Sequence, residues 1–188
     1  MFSLMEILDI VIMSLALGFI FKDVFKKPVS QYDPAHFYRK KFNWEDFKFA
    51  AMVTAPAVIL HEFGHKFAAI SVGATATFNA AYLFLGLGVL LKLLNFGFIF
   101  FVPAYVAWAG NVTHFQSAWI AIAGPAVNLL LFFIAIIILK KKKGLNRVEF
   151  HFWALTKKIN LFLFIFNMLP IPFFDGGHFF SNMISAIF

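Results

Sequence analysis

Long apolar runs, separated by short clusters of basic residues, constrain this chain more than any other feature of its sequence. The runs at residues 1–21, 47–72 and 117–139 are long enough, as helices, to cross a hydrocarbon core about 30 Å thick. Hydrophobic residues make up 62% of the 188 residues and charged residues 13%. Soluble domains are roughly 45–50% apolar and about 25% charged. The sequence therefore predicts an integral membrane protein, with the lipid bilayer as its surroundings.

The basic residues give the chain a formal net charge of +7. They do not form one patch but lie between the apolar runs, as the positive-inside rule describes for short cytoplasmic loops. This distribution favours a multi-pass membrane protein and argues against a nucleic-acid partner. The absence of cysteine excludes disulfides and cysteine-based metal sites. The clusters are Lys22, Lys26 and Lys27; Arg39, Lys40 and Lys41; Lys140 to Lys143; and Lys157 and Lys158.

The predicted fold class is all-α, a polytopic transmembrane helical bundle of about 5–6 membrane segments. Residues 1–46 are predicted to form an N-terminal transmembrane anchor and a cytoplasmic loop, and residues 47–188 the core. Residues 73–80 alternate small and polar side chains and could form a short strand. Glycine and proline interrupt residues 81–108, so two short elements or a re-entrant hairpin fit better there than one straight helix.

The second apolar run carries the motif H-E-F-G-H, which contains His61, Glu62 and His65. Positions i and i+4 of a helix lie on one face, so the two imidazoles can bind a single metal ion. Glu62 can then reach a water molecule at the metal without being a ligand itself. Two histidines and a carboxylate base of this kind predict a hydrolytic site with one zinc ion.

A zinc ion held by two histidines needs a third protein ligand if one position is to stay open for water. Beyond the first run, only Glu62 and Asp175 are acids in apolar surroundings, and a carboxylate in a bilayer costs at least a few kcal/mol. Asp175 is therefore the favoured third ligand. His114 and His178 are the alternatives, and His178 could instead orient Asp175 or a substrate.

Polar residues and helix breakers near the end of the chain indicate a site within the membrane. A helix that starts at residues 158–170 meets proline and glycine between Asn167 and His178, before it can cross a bilayer. Non-helical backbone at membrane depth is tolerated only where it is buried in protein or lines a wet cavity. At the other end of the chain, Glu6 and Asp9 are expected at the membrane interface.

Three motifs together resemble the site-2 proteases, the intramembrane zinc metalloproteases of regulated intramembrane proteolysis. They are H-E-F-G-H, then G-P-A-V-N ending at Asn128, then N-M-L-P-I-P-F-F-D-G-G starting at Asn167. The resemblance covers residues 47–180. The family often carries an accessory domain such as a PDZ domain or a pair of CBS domains, and we expect none in this chain.

The resemblance implies a role for each matching residue. His61, His65 and Asp175 would be the ligands of one Zn²⁺ ion and Glu62 the general base. Asn167 would help to position the substrate or an active-site loop, and Asn128 would act near the substrate channel. The alternative for each asparagine is that it caps or bridges helices.

The predicted activity is hydrolysis of peptide bonds in single-span membrane proteins, at a site open to the cytoplasm. A substrate helix must unwind first, and its unwound segment could pair with residues 74–79. Two other functions remain open from the sequence. An inactive membrane scaffold would tolerate the loss of Glu62 or of a ligand, yet all four proposed residues are present. A metal transporter could use the same His and Asp residues, but it usually needs more intramembrane acids and an internal repeat.

Overall fold

The computed structural model describes residues 2–28, 42–96 and 102–188. Within these ranges the chain forms six helices and a two-stranded sheet, so the helical class predicted from the sequence is found, with a small β element added. In chain order the elements are α1 (Leu4–Phe21), α2 (Trp44–Ser71), β1 (Thr75–Ala80), α3 (Tyr82–Leu93), β2 (Ala104–Ala109), α4 (His114–Lys141), α5 (Arg147–Asn167) and α6 (Asp175–Ile187).

Polar caps determine where the four longest helices, α1, α2, α4 and α5, begin. The side chain of Asn43 accepts from the backbone N–H groups of Glu45 and Asp46, and this starts α2 seventeen residues before the H-E-F-G-H motif. The first N–H groups of a helix have no partner inside it, so such caps offset their loss of hydration. The other caps are reciprocal capping boxes, which pair Ser3 with Glu6, Thr113 with Gln116, and Asn146 with Glu149.

Two helices of the described chain, α1 and α4, are long and apolar enough to cross a membrane. They correspond to the runs predicted at residues 1–21 and 117–139. Helix α2 is as long as α4, at 28 residues, and would extend about 42 Å. The larger number of membrane segments expected from the sequence stays a prediction. Part of the loop expected at residues 22–46 lies outside the described residues.

The strand predicted at residues 73–80 is confirmed as β1. It pairs antiparallel with β2, in a register that sets Thr75 opposite Ala109 and Ala80 opposite Ala104. The described part of the segment 81–108 contains two short elements, α3 and most of β2, as its glycines and prolines indicate. A buried cluster of Met13, Leu17, Ala55, Phe78, Ala80, Leu85 and Ala104 joins the sheet to α1, α2 and α3.

Glu6 and Asp9, which were expected at the membrane interface, are buried inside the protein. Their side chains are 3% and 7% exposed, and they face the sheet. The backbone N–H of Phe78 donates to Glu6 Oε1 at 2.7 Å, and the N–H of Ala80 donates to Asp9 Oδ2 at 3.1 Å. Strand β1, distant in sequence, supplies the hydrogen-bond donors that make burial of these carboxylates tolerable, and the local sequence could not indicate this.

Candidate active site

Helix α2 and the start of α6 bring three ligand atoms to one point. The Nε2 atoms of His61 and His65 lie 3.1 Å apart. The Oδ2 atom of Asp175 is 3.1 Å from Nε2 of His61 and 3.3 Å from Nε2 of His65. In the part of the chain that the structure describes, these residues form the one group of three that could hold a metal ion. The alternative third ligands, His114 and His178, are outside this group.

The break between α5 and α6 gives Asp175 its position. Helix α5 ends at Asn167, and α6 begins at Asp175 itself, so the predicted interruption is confirmed. A side chain at Gly176 would place its Cβ 2.4 Å from the carbonyl carbon of Met168, and one at Gly177 would lie 2.1 Å from the carbonyl oxygen of Ile171. Only glycine fits at these two places, and the turn they allow carries Asp175 onto the histidine pair.

Helix α4 approaches the histidines closely because it has glycine at position 124. A Cβ atom there would lie 2.3 Å from Nε2 of His65 and 2.8 Å from Nε2 of His61. Gly64 of α2 also allows the two helices to approach closely, since a Cβ added there would lie 2.7 Å from the carbonyl oxygen of Ala123 in α4. The first residue of the G-P-A-V-N motif therefore keeps space free around the ligand atoms.

Asn128, also on α4, fixes the orientation and the tautomer of His61. Its Nδ2 donates to the carbonyl oxygen of Ala57 at 3.1 Å and to Oδ1 of Asn160 at 2.8 Å. Because a carbonyl oxygen can only accept, the Oδ1 atom of Asn128 is the one that faces His61, at 2.6 Å from Nδ1. Nδ1 of His61 therefore carries the proton, and its Nε2 lone pair points towards Asp175 and His65.

His65 is held in the same tautomer by a backbone group. Its Nδ1 lies 2.8 Å from the carbonyl oxygen of Ile120, so this nitrogen donates. In the neutral rings, two lone pairs and a carboxylate oxygen then face one another, an arrangement that a cation between them stabilises. Around a tetrahedral zinc ion with bonds of about 2.0–2.1 Å, ligand atoms lie roughly 3.3–3.4 Å apart. The separations of 3.1 to 3.3 Å fit such an ion.

Glu62 lies on the wall of a cleft beside these ligand atoms. Its side chain is 7% exposed. The cleft has a volume of about 450 Å³, and strand β2 forms its opposite side. A second cavity, of about 250 Å³ and mainly apolar, shares His61 and Glu62 with the cleft and extends between α1 and α5. The residues that line the cleft include His61, Glu62, His65, Ala104, Tyr105, Val106, Trp108, Asn167, Asp175, His178 and Asn182.

The other predicted site residues have different positions. Asn167 lines both cavities, and His178 lines the larger one. Asn128 is fully buried, and its amide is engaged by His61, Ala57 and Asn160. His114 lies at the surface, with Nδ1 3.1 Å from Oδ1 of Asn182.

Sequence reasoning missed the part that Asn160 plays in this network. The residue is 1% exposed, and its Nδ2 donates to the carbonyl oxygen of Thr156 while its Oδ1 accepts from Asn128. An amide in an otherwise apolar stretch, residues 159–166, is the signal that could have indicated it. The carbonyl of Ile120 carries no such signal, because any residue has one.

A helix that presents His-Glu-x-x-His, with both histidines converging on a carboxylate, defines a metal-dependent hydrolase. Comparison with known proteins agrees with this class. The model of peptidase family M50 matches residues 139–188. A relative from Methanocaldococcus jannaschii is 36% identical over 182 residues, covering 93% of this chain and 83% of the relative.

Two further relatives come from Synechocystis and Bacillus subtilis. They are 30% and 26% identical, and the alignments cover 73% and 66% of this chain and 31% and 64% of the relatives. All three proteins are named "putative zinc metalloprotease". No solved structure matches the chain. The chain belongs to peptidase family M50, which confirms its resemblance to the site-2 proteases. The predicted enzyme class and zinc cofactor agree with these names.

Proposed function

We propose that this protein is a zinc-dependent endopeptidase that cleaves single-span membrane proteins within the bilayer. One observation carries the proposal: the ligand atoms of His61, His65 and Asp175 converge at the wall of a cleft that also contains Glu62. The family and the names of the relatives support the peptidase and zinc parts of this assignment. A transporter or an inactive scaffold would have no need for a carboxylate base beside the three ligands.

The roles of the chain's own residues follow from their positions. Zinc at such a site supplies a Lewis acid and lowers the pKa of water towards ~7. Glu62 takes a proton from the water that attacks the scissile carbonyl and passes it to the leaving amine. One water molecule is consumed as the C–N bond breaks. His61 and Asp175 hold their ligand atoms without moving protons.

The two asparagines have different roles in this proposal. Asn128 positions His61 through the bond to Nδ1, in place of the substrate contact expected from the sequence, because its amide is buried and engaged within the protein. Asn167 lies on the cleft wall and keeps the proposed substrate contact. His178 also faces the cleft, so it is placed to orient a substrate.

An unwound substrate segment would pair with β2 instead of residues 74–79. Successive N–H groups along a strand point to opposite edges. The N–H groups of Phe78 and Ala80 point towards α1, where carboxylates accept from them. The register then directs the edge groups of Ala104, Val106 and Trp108 away from β1.

That outer edge of β2 lies along the cleft, because Ala104, Val106 and Trp108 all line it. Backbone pairing at this edge would replace the hydrogen bonds that a substrate helix loses when it unwinds. The edge also runs past the ligand atoms of α2 and α6, since the same cleft contains His61 and Asp175. The substrate backbone would therefore lie next to the metal.

The proposed setting is a multi-pass protein of a prokaryotic cell membrane, with its site open to the cytoplasm and about 5–6 membrane segments. Helices α1 and α4, both able to span a bilayer, support this arrangement. Basic residues mark the C-terminal end of each helix, as expected where that end faces the cytoplasm. Lys22, Lys26 and Lys27 follow α1, and Lys140 to Lys143 include the last two residues of α4 and the two after it.

The proposal is tested with purified protein in detergent and a panel of single-span substrates. Wild type is compared with Glu62→Gln and Asp175→Ala, and both cleavage and bound zinc are measured. We expect wild type to cut, Glu62→Gln to retain zinc without cutting, and Asp175→Ala to lose zinc. Cleavage by Glu62→Gln at the wild-type rate would overturn the mechanism. Wild-type protein free of zinc after metal-free purification and zinc addition would favour a scaffold.

A further inference from the structure

A polar cluster outside the active site joins three elements of the fold, and all its members except Tyr82 are buried. Glu6 and Asp9 project from α1, Lys66 from α2 and Tyr82 from α3. The proposed mechanism uses none of these side chains. Burial of charged groups is costly, so their arrangement calls for a physical role. We refer to Glu6, Asp9, Lys66 and Tyr82 as the edge clamp.

Glu6 is bonded on both of its oxygens. Oε1 accepts from the ammonium group of Lys66 and from the backbone N–H of Phe78, and Oε2 accepts from the N–H of Ser3 at 2.8 Å. Lys66 is 2% exposed and directly follows His65. One carboxylate therefore connects α1, the helix of the metal ligands and strand β1.

Asp9 makes the second attachment to the same strand. Its Oδ2 accepts from the N–H of Ala80 at 3.1 Å, and its Oδ1 accepts from the hydroxyl of Tyr82. Glu6 and Asp9 are three positions apart, so they share one face of α1. The carboxylate oxygens of Glu6 and Asp9 take the place of the carbonyl oxygens that a neighbouring strand would present to β1.

The two bonds determine where the sheet lies along α1. Residues three apart rise about 4.5 Å along a helix, whereas alternate N–H groups on one edge of a strand are roughly 6.8 Å apart. The extra methylene group of Glu6 makes up part of this difference. A shift of two residues that brought Ala80 to Glu6 would leave Asp9 beyond the end of β1, without a strand N–H.

We infer that Glu6 and Asp9 are positioning residues, which hold the sheet at one height beside His61 and Asp175 and so select the substrate bond that is cut. This inference rests on the proposed function, in which the substrate pairs with the outer edge of β2. Glu6 and Asp9 bond to β1, whereas the substrate would pair with β2. The position of the substrate therefore depends on the register between β1 and β2. A pairing slip of two residues preserves which side chains face the cleft and is therefore the slip to be prevented.

The test maps the cleavage position in a single-span fusion protein that the wild type cuts at one bond. Asp9→Leu removes the carboxylate that accepts from the N–H of Ala80 and puts a side chain of similar size in its place. Asp9→Asn keeps an oxygen for the N–H of Ala80 and offers its NH₂ group to the Tyr82 oxygen. Tyr82→Phe is the matched control, because it removes the bond to Asp9 and leaves the bond to the strand.

We expect Asp9→Leu to yield additional products cut two residues from the wild-type bond, identified by mass spectrometry. Asp9→Asn and Tyr82→Phe should cut the wild-type bond alone. A purely structural role would lower the rate without moving the cut. A single wild-type cut by Asp9→Leu, at any rate, would overturn the inference.

A second pair of variants applies if Asp9→Leu does not fold. Glu6→Leu with Lys66→Met removes the acceptor and the charge together, whereas Glu6→Gln with Lys66→Met removes the charge and keeps an acceptor. Only the first double variant, Glu6→Leu with Lys66→Met, should change the position of the cleaved bond. If both acceptor-free variants fail to fold, the clamp serves folding alone and the inference is wrong.

Glu62→Gln is run beside every variant. If it cuts like wild type, the proposed function fails and the inference falls with it. If it is inactive while Asp9→Leu keeps the single cut, only the inference fails.

Discussion

The Nδ1 atom of His61 lies 2.6 Å from the Oδ1 atom of Asn128, although the two residues are 67 positions apart in the chain. This contact decides which nitrogen of His61 carries the proton, because the NH₂ group of Asn128 is directed to Ala57 and Asn160. The sequence predicted that Asn128 contacts the substrate; in the structure its amide is bonded to His61, Ala57 and Asn160. The side chain of Asn128 contacts the ring nitrogen of His61 that faces away from the other ligand atoms.

Replacement of Asn128 by Ala should weaken zinc binding by about 10–100-fold, the usual effect of removing a partner that orients a metal ligand. The free Nδ1 of His61 would no longer select the tautomer whose Nε2 faces the metal. Zinc affinity is measured by competition with a chelator of known affinity. Asn160→Leu is the control. It leaves the bond between Asn128 and His61 in place, so it should weaken zinc binding less than Asn128→Ala does. Equal affinities in wild type and Asn128→Ala would contradict this role.

Gly124→Ala should disrupt the metal site, because the added Cβ would lie 2.3 Å from Nε2 of His65. The methyl group must displace the imidazole or push α4 away from α2. Bound zinc per chain, measured by elemental analysis, should fall well below that of wild type. Gly86→Ala adds the same atom where nothing lies within 4 Å, and it should bind zinc normally. An unchanged zinc content in Gly124→Ala would show that the site adapts without loss.

Removal of zinc should lower the thermal stability of the wild-type protein. A ligand that binds only the folded state adds about 2.7 kcal/mol when its free concentration is 100 times Kd. A chelator should therefore lower Tm, and added zinc should restore it. Asp175→Ala, which lacks one ligand, should show little response to either treatment. A chelator effect of equal size in Asp175→Ala would mean that the stabilising ion binds elsewhere.

Val106→Pro should reduce cleavage while leaving zinc binding intact. Proline removes the backbone N–H at the outer edge of β2, and an edge strand tolerates it there. Loss of one hydrogen bond to the substrate, worth about 0.5–1.5 kcal/mol, corresponds to a roughly two- to tenfold lower kcat/KM. Val106→Ala keeps the N–H and serves as the control for the lost side chain. If Val106→Ala loses as much activity as Val106→Pro, the side chain matters and backbone pairing does not.

The sequence was sufficient to predict the parts of the site that depend on local spacing. His61 and His65 are four positions apart on a helix, so their convergence required no knowledge of the fold. Asp175 was predicted because an acid beside proline and glycine in an apolar run has few structural uses. The alternation at residues 73–80 likewise indicated a strand.

Contacts between distant segments could not be predicted in the same way. The partner of β1 lies about thirty residues further on, beyond α3, and nothing in the local pattern of residues 104–109 identifies it. Glu6 and Asp9 look like interfacial acids until the N–H groups of β1 are placed beside them. Asn128 occurs in a motif, yet its partners come from α2 and α5, and only the packed helices show which way its amide points.

Both histidines of α2 have their Nδ1 atoms held by α4, one through the side chain of Asn128 and the other through the carbonyl of Ile120. A change in the separation of these two helices would misalign both rings together. The orientation of both metal-ligand rings therefore depends on the packing of α2 against α4. A molecule in which α2 and α4 have not yet docked lacks the two contacts that orient these imidazoles, so we expect the metal site to form only after the helices have packed.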